Sequence, residues 1–202
     1  MYFSIVLTIM NFLAHLYLSP QKEEIILGNF IADAVKGKIF YSYSEGVQKG
    51  ILFHREIDRF TDQHPIFKTS CERLYPKYFR YSGVIVDIYY DHFLAKFWNE
   101  YHDQDLKEFV ARAYHLLIHN FKLLPPRSKR LLPFMIAQNW LVNYSNFKDL
   151  NRVFGGMSRR TNNHSRMDEA VDELKAHYLD FEREFRAFFP EIIKFTKTSG
   201  FY

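Results

Sequence analysis

A single cysteine, Cys71, excludes an intrachain disulfide and a cysteine-built metal cage. It fits a reducing cytoplasm and reads as a small buried residue rather than a nucleophile. Glycine and proline are scarce, at 8 and 7 residues, and they punctuate stretches of helical periodicity. No Gly-rich phosphate loop, dinucleotide fingerprint, Gly-x-Ser-x-Gly elbow or Cys-x-x-Cys pair occurs. A strong charge of one sign is also missing. The net charge is +4 and the pI about 9.0, which permits an acidic partner without demanding one. The basic residues are scattered rather than stacked along one helix, so nucleic acid is not an expected ligand. Residues 2–18 are largely apolar but lack a basic leader and a cleavage site, are short for a membrane span, and carry Asn11 and His15. They read as a buried helix. Met10 reads as a natural start, with residues 1–9 an extension and residues 10–202 the domain.

What is abundant is apolar and aromatic: 48% hydrophobic residues, with 21 Phe and 14 Tyr, enough for one well-filled core. With no repeat, linker or convincing strand run, the expectation is one all-α domain. Gly28-Asn29 opens a helix that stops near Gly37. Further helices are expected over 50–62, 66–80, 82–101, 105–121 and 128–144, and from about residue 166 to a stop at Pro190. The pair Gly155-Gly156 precedes Arg159 and Arg160 and suits a mobile lip.

Chemistry concentrates on the helix over 50–62. At about 100° per residue, His54, Asp58 and Asp62 share an arc of about 80° with core-facing aliphatics, while Arg55, Glu56 and Arg59 face elsewhere. Asp87 and Asp91 are one turn apart on the face that carries Val84, Leu94 and Trp98. His92 projects about 100° from Asp91. Taken alone, each group has a structural explanation. His15 suits a hydrogen-bonded core histidine, Asp33 a cap, and the remaining acids salt bridges. Taken together, so many acids on apolar faces point to a shared metal site, because buried carboxylates must be paired, hydrogen-bonded or bound to a metal. Imidazole plus carboxylate suits manganese, magnesium, iron(II) or zinc, and such an ion activates water and neutralises charge on a phosphoryl oxygen.

Several blocks then resemble a known family. They are Asn11-Phe12-Leu13-Ala14-His15-Leu16, Gly28-Asn29-Phe30-Ile31-Ala32-Asp33, His54-Arg55-Glu56-Ile57-Asp58 with Thr61-Asp62, and Asp91-His92-Phe93-Leu94. Later come Gln138-Asn139-Trp140-Leu141, Gly156-Met157-Ser158-Arg159-Arg160, and His177-Tyr178 through Phe189-Pro190. In this order they are similar to bacterial acyl carrier protein phosphodiesterase. The resemblance implies an all-helical fold distantly related to HD-domain phosphohydrolases. It implies hydrolysis of 4'-phosphopantetheine from holo acyl carrier protein, with manganese as the activating metal. Asp33 matches the acid of the family's Gly-Asn-x-x-Ala-Asp block. Classical HD members carry adjacent His-Asp, whereas here the order is Asp91-His92.

The resulting expectation is that Asp33, His54, Asp58, Asp91 and His92 are catalytic. The metal set is drawn from His15, Asp33, His54, Asp58, Asp62, Asp87 and Asp91. Lys36, Lys38, Lys129, Arg130, Arg159 and Arg160 are to meet an acidic carrier protein. The competing readings are an HD-like phosphohydrolase on nucleotides or other small phosphoesters, and a non-catalytic helical binding module.

Overall fold

A computed structural model describes residues 11–201; the proposed extension over residues 1–9 lies outside them. Among the described residues there are α-helices and short 3-10 turns but no strand. The first helices are α1 (Phe12–Leu18), α2 (Glu23–Ile31), α3 (Glu45–Gln63), α4 (Pro65–Tyr78), α5 (Ser82–Lys96) and α6 (Trp98–Tyr101). They are followed by α7 (Leu106–His119), α8 (Pro126–Ala137), α9 (Trp140–Asn143), α10 (Phe147–Arg160), α11 (Ala170–Ala176) and α12 (Tyr178–Thr198). No described helix is long and apolar enough to cross a membrane.

Helix α5 is the axis of the core. Ile85, Val86, Ile88, Tyr89, Phe93 and Leu94 are buried on all sides of it, as expected of a helix apolar around its whole circumference. Phe181 and Phe185 of α12 and Phe154 of α10 pack on it through ring contacts. Helix α1 lies against α5, and the pair α2–α3 forms the adjoining layer.

The α2–α3 crossing explains two glycines. A Cβ added at Gly28 would lie 2.1 Å from the Val47 carbonyl oxygen, and one at Gly50 would lie 2.3 Å from that of Ile25. Gly28 is therefore inside α2 rather than at its opening, and its role is close backbone approach, which only a residue without a side chain permits. The crossing sets Asn29 of α2 against His54 of α3.

Other expected boundaries move for identifiable reasons. Helix α3 starts at Glu45, because the Ser44 hydroxyl accepts from the Val47 amide. The stretch 128–144 divides at Asn139, whose φ of 45° is left-handed. Pro190 does not stop α12, which runs to Thr198. Phe188, Phe189 and Ile192 are all buried, and that burial outweighs a proline's cost of about 3 kcal/mol inside a helix. Gly155 and Gly156 are helical residues of α10, not a lip. The Arg159 guanidinium folds back over them, 3.4 Å from where a Cβ of Gly155 would stand.

Gly28→Ala and Gly50→Ala are expected to lower the melting temperature by ten degrees or more, since each Cβ meets backbone that has no room to yield. Gly83→Ala, whose Cβ would meet nothing within 4 Å, is expected to be neutral or to stabilise by about 0.5–1 kcal/mol. Thermal melts of the three variants check the contrast.

Candidate metal centre

The centre is built around Asn29, which is fully buried in α2. Its amide nitrogen donates to the His15 carbonyl at 2.9 Å and to the Ser19 hydroxyl at 2.8 Å. A backbone carbonyl only accepts, so the orientation of the Asn29 amide is fixed. Its Oδ1 then accepts from His15 Nδ1 at 2.8 Å and from His54 Nδ1 at 2.9 Å. Both rings must carry their proton on Nδ1, which leaves both Nε2 lone pairs facing the same space. The rings stack with centroids 4.1 Å apart.

Both Nε2 atoms are buried, and neither has a hydrogen-bond partner. Each lies 3.2 Å from a carboxylate oxygen of Asp58, one turn along α3 from His54, and His54 Nε2 lies 3.5 Å from Asp33 Oδ1. These approaches are out of line for a hydrogen bond. Lone pairs on nitrogen and oxygen at this separation repel unless positive charge stands between them. A proton or a divalent cation satisfies that demand. His15, His54 and Asp58 offer one ligand atom each, all within 4.8 Å of one another, a donor set that suits Mn²⁺, Fe²⁺ or Zn²⁺. The Asn29 hydrogen bonds are the outer-shell contacts that fix ligand tautomers in metal sites.

Without a metal, protons take up the charge. Burial pulls the His54 imidazolium down, but the carboxylates of Asp33 and Asp58 push it up, and the balance falls at about 9. His15 is held low by burial and by its charged neighbour His54. Burial raises the Asp58 carboxyl, and the two histidines more than reverse it, to well below the usual range.

The other sequence candidates are placed differently. Asp91 is fully buried, but its two oxygens accept from the amides of Leu13 at 3.0 Å and Ala14 at 2.8 Å. It caps α1 from the neighbouring helix and so positions His15 one turn on; the expectation that its carboxylate converges with Asp33, His54 and Asp58 is corrected. Burial pushes its carboxyl up to about 8 against the pull of those amides. His92 is also corrected. Its offset from Asp91 turns it away, so that Nδ1 donates to the Tyr144 carbonyl at 2.8 Å and Nε2 accepts from the Tyr178 hydroxyl at 3.0 Å. Burial, with Lys96 nearby, lowers it to about 4, so it is neutral at pH 7. Asp87 receives a 3.4 Å hydrogen bond from Asn11. Burial and then the carboxylates of Asp58, Asp62, Asp91 and Asp33 hold it well above the ordinary range. Asp62 is exposed at the edge of the centre.

Two hollows border the centre, one through Asp33 and one through Asp58. A cavity of about 690 Å³ includes Asp33 in its wall, with Arg127, Arg130, Arg152, Arg159 and Arg160 and the aromatic rings of Phe134 and Trp140. Asp58 lines a separate hollow of about 320 Å³ with Arg55, Arg59 and Asp62. Of the expected partner residues, Lys36 and Lys38 are exposed. Lys129 instead donates to the Lys122 carbonyl at 2.9 Å, while Arg130, Arg159 and Arg160 line the larger cavity. Sequence reasoning assigned no role to Asn29, Arg127 or Arg152. Asn29 carried a signal: an amide amid Leu27, Phe30 and Ile31 must find four partners once buried.

The family model for acyl carrier protein phosphodiesterase matches residues 10–192. A protein of that name from Photorhabdus laumondii is 32% identical over 96% of this chain and 98% of its own length. Those from Yersinia enterocolitica and an Enterobacter strain are 30% and 32% identical over 91% of this chain and 96% of theirs. No solved structure matches.

The two acids separate by variant. Asp91→Ala strands two buried amides at a cost of about 1–3 kcal/mol each and is expected to lower the melting temperature sharply. Asp58→Asn is expected to abolish divalent-ion binding in calorimetry and, because it removes part of the charge that raises His54, to flatten the pH dependence of melting in chelated protein. The pH dependence has a definite sign. A histidine raised from 6.5 to about 9 contributes stability that is full below pH 6.5 and lost as pH rises through 9. The raised Asp91 carboxyl acts in the same direction up to about pH 8, whereas the depressed His15 acts below 6.5. Melts of chelated protein should fall from pH 6.5 to 9, and a bound divalent ion should reduce the fall.

Proposed function

The chain belongs to the acyl carrier protein phosphodiesterase family, and from that premise we propose that it hydrolyses the phosphodiester joining 4'-phosphopantetheine to a serine of acyl carrier protein. The products are the apo carrier and free 4'-phosphopantetheine. The observation that carries this reading is the pair of partnerless Nε2 atoms aimed at Asp58, beside an arginine-lined cavity that shares Asp33. His15, His54 and Asp58 are the residues that would hold a divalent ion, manganese foremost. Such an ion supplies positive charge against the phosphoryl group and acidifies water.

The chain's own residues do the remaining work. Asn29 fixes the tautomers, and the Asp91 cap on α1 fixes where His15 stands. Asp33, between the centre and the cavity, is the carboxylate placed to accept the proton that attacking water gives up. Hydrolysis by water is favoured over a covalent route because, among the described residues, no hydroxyl or thiol is hydrogen-bonded to a ring nitrogen of His15 or His54. The exposed Lys36 and Lys38 follow Asp33 and offer positive charge to an acidic carrier, speeding encounter at low salt.

Release of apo carrier from holo carrier, followed by intact mass, is expected to stop in excess chelator and return with manganese. Asp33→Asn is expected to lower kcat by 10²-fold or more with little change in KM, the magnitude of a lost general base. Faster turnover of a nucleotide panel than of holo carrier would replace this reading with a nucleotide phosphohydrolase. Full turnover after verified metal removal would refute the metal dependence.

A further inference from the structure

The larger cavity carries more positive charge than a single phosphodiester needs. Five arginines line it against two aspartates. One of those, Asp149, is paired with Arg152 at 2.7 Å. The other is Asp33, 3.5 Å from His54 Nε2. Arginines thus outnumber acids in the cavity wall, and one of the two acids stands beside His54 of the centre. Phe134, Trp140 and Met157 supply apolar wall. Helix α10 contributes Arg159 and Arg160, both exposed, and the Arg159 guanidinium lies beside the glycine pair of its own helix.

Hydrolysis changes the charge of what is bound. Water adds to phosphorus, the bond to the serine oxygen breaks, and that oxygen takes up one of the water's two protons. The other leaves the new P–OH for solvent, since a phosphomonoester's second pKa is about 6, so at neutral pH the phosphomonoester carries one more negative charge than the diester. A chamber lined by guanidinium groups holds that dianion better than the substrate, because charge-assisted, bidentate contacts to phosphate strengthen with each added charge. Its apolar wall suits the methyls and methylenes of a pantetheine chain. The smaller hollow at Asp58 opens elsewhere and has two acids in its wall, so it is the poorer home for an anion.

Resting on the function proposed above, we propose that the arginine-lined cavity is the subsite for the phosphopantetheine arm, and that Arg130, Arg159 and Arg160 retain the released phosphomonoester, making the enzyme subject to inhibition by its own small product. The carrier body then stays outside the cavity.

The test is direct binding to the metal-loaded full chain, read by calorimetry and by Trp140 fluorescence, with three probes: 4'-phosphopantetheine, pantetheine and inorganic phosphate. Phosphopantetheine is expected to bind at least tenfold tighter than either of the others. In Arg159→Gln/Arg160→Gln, and separately in Arg130→Gln, its affinity is expected to fall tenfold or more while pantetheine binding stays the same. Unchanged melting temperatures establish that the variants fold, and the single Arg130→Gln change keeps the test open if the double variant does not. Phosphopantetheine binding that is indifferent to both variants, or no tighter than pantetheine binding, overturns the proposal. Holo-carrier turnover is measured in parallel. If turnover is intact and binding is indifferent, the subsite fails and the activity stands. If holo carrier is not turned over but phosphopantetheine binding depends on the arginines, the activity fails and the subsite stands.

Discussion

Two imidazoles share one carbonyl oxygen, and the rest of the centre depends on that sharing. Asn29 is buried with all four of its hydrogen-bonding groups used, so it neither rotates nor trades partners cheaply. A hydrophobic side chain of similar size would strand two ring N–H groups, at about 1–3 kcal/mol each. Because Oδ1 accepts twice, both histidines are held as Nδ1–H tautomers, and both Nε2 atoms converge on Asp58. The geometry creates a need for positive charge, which a proton on His54 meets in the absence of a divalent ion.

Everything around the clamp can be understood as support for it. The Gly28–Gly50 crossing brings α2 and α3 close enough for Asn29 to reach His54. Asp91 holds the first turn of α1 by two amides, and this seven-residue helix is too short to fix its own position without such a contact. His15 follows from that anchor. The apolar circumference of α5 places Asp91 deep enough for the contact to be dry and therefore strong. His92, the next residue, faces another direction and ties α5 to Tyr144 and Tyr178. One buried helix thus organises the centre on one side and the chain's C-terminal half on another.

The helical fold was legible because periodicity and the rarity of glycine and proline agree across the whole chain. The errors fall where local signals meet tertiary packing. Gly28 reads as a helix start and is a crossing point. Pro190 reads as a stop, yet the burial of Phe188, Phe189 and Ile192 carries α12 through it. At the centre, helical spacing put His54 and Asp58 on one face, and the structure sets both against His15, with Asp33 beside His54. It could not tell a carboxylate aimed at an ion from one aimed at backbone amides, because Asp87 and Asp91 share a face with apolar residues either way. For Asn29 the need for partners was legible but their identity was not, because His15 and His54, which fill its valences, stand on two other helices.

The shared carbonyl is open to direct observation by long-range ¹H–¹⁵N correlation of the histidine rings in protein loaded with diamagnetic zinc. If the account is right, His15 and His54 both show a protonated Nδ1 and an Nε2 shifted by coordination, and the shift on Nε2 disappears on chelation. An Nε2–H tautomer in either ring of the loaded protein, or a coordinated Nδ1, would contradict it.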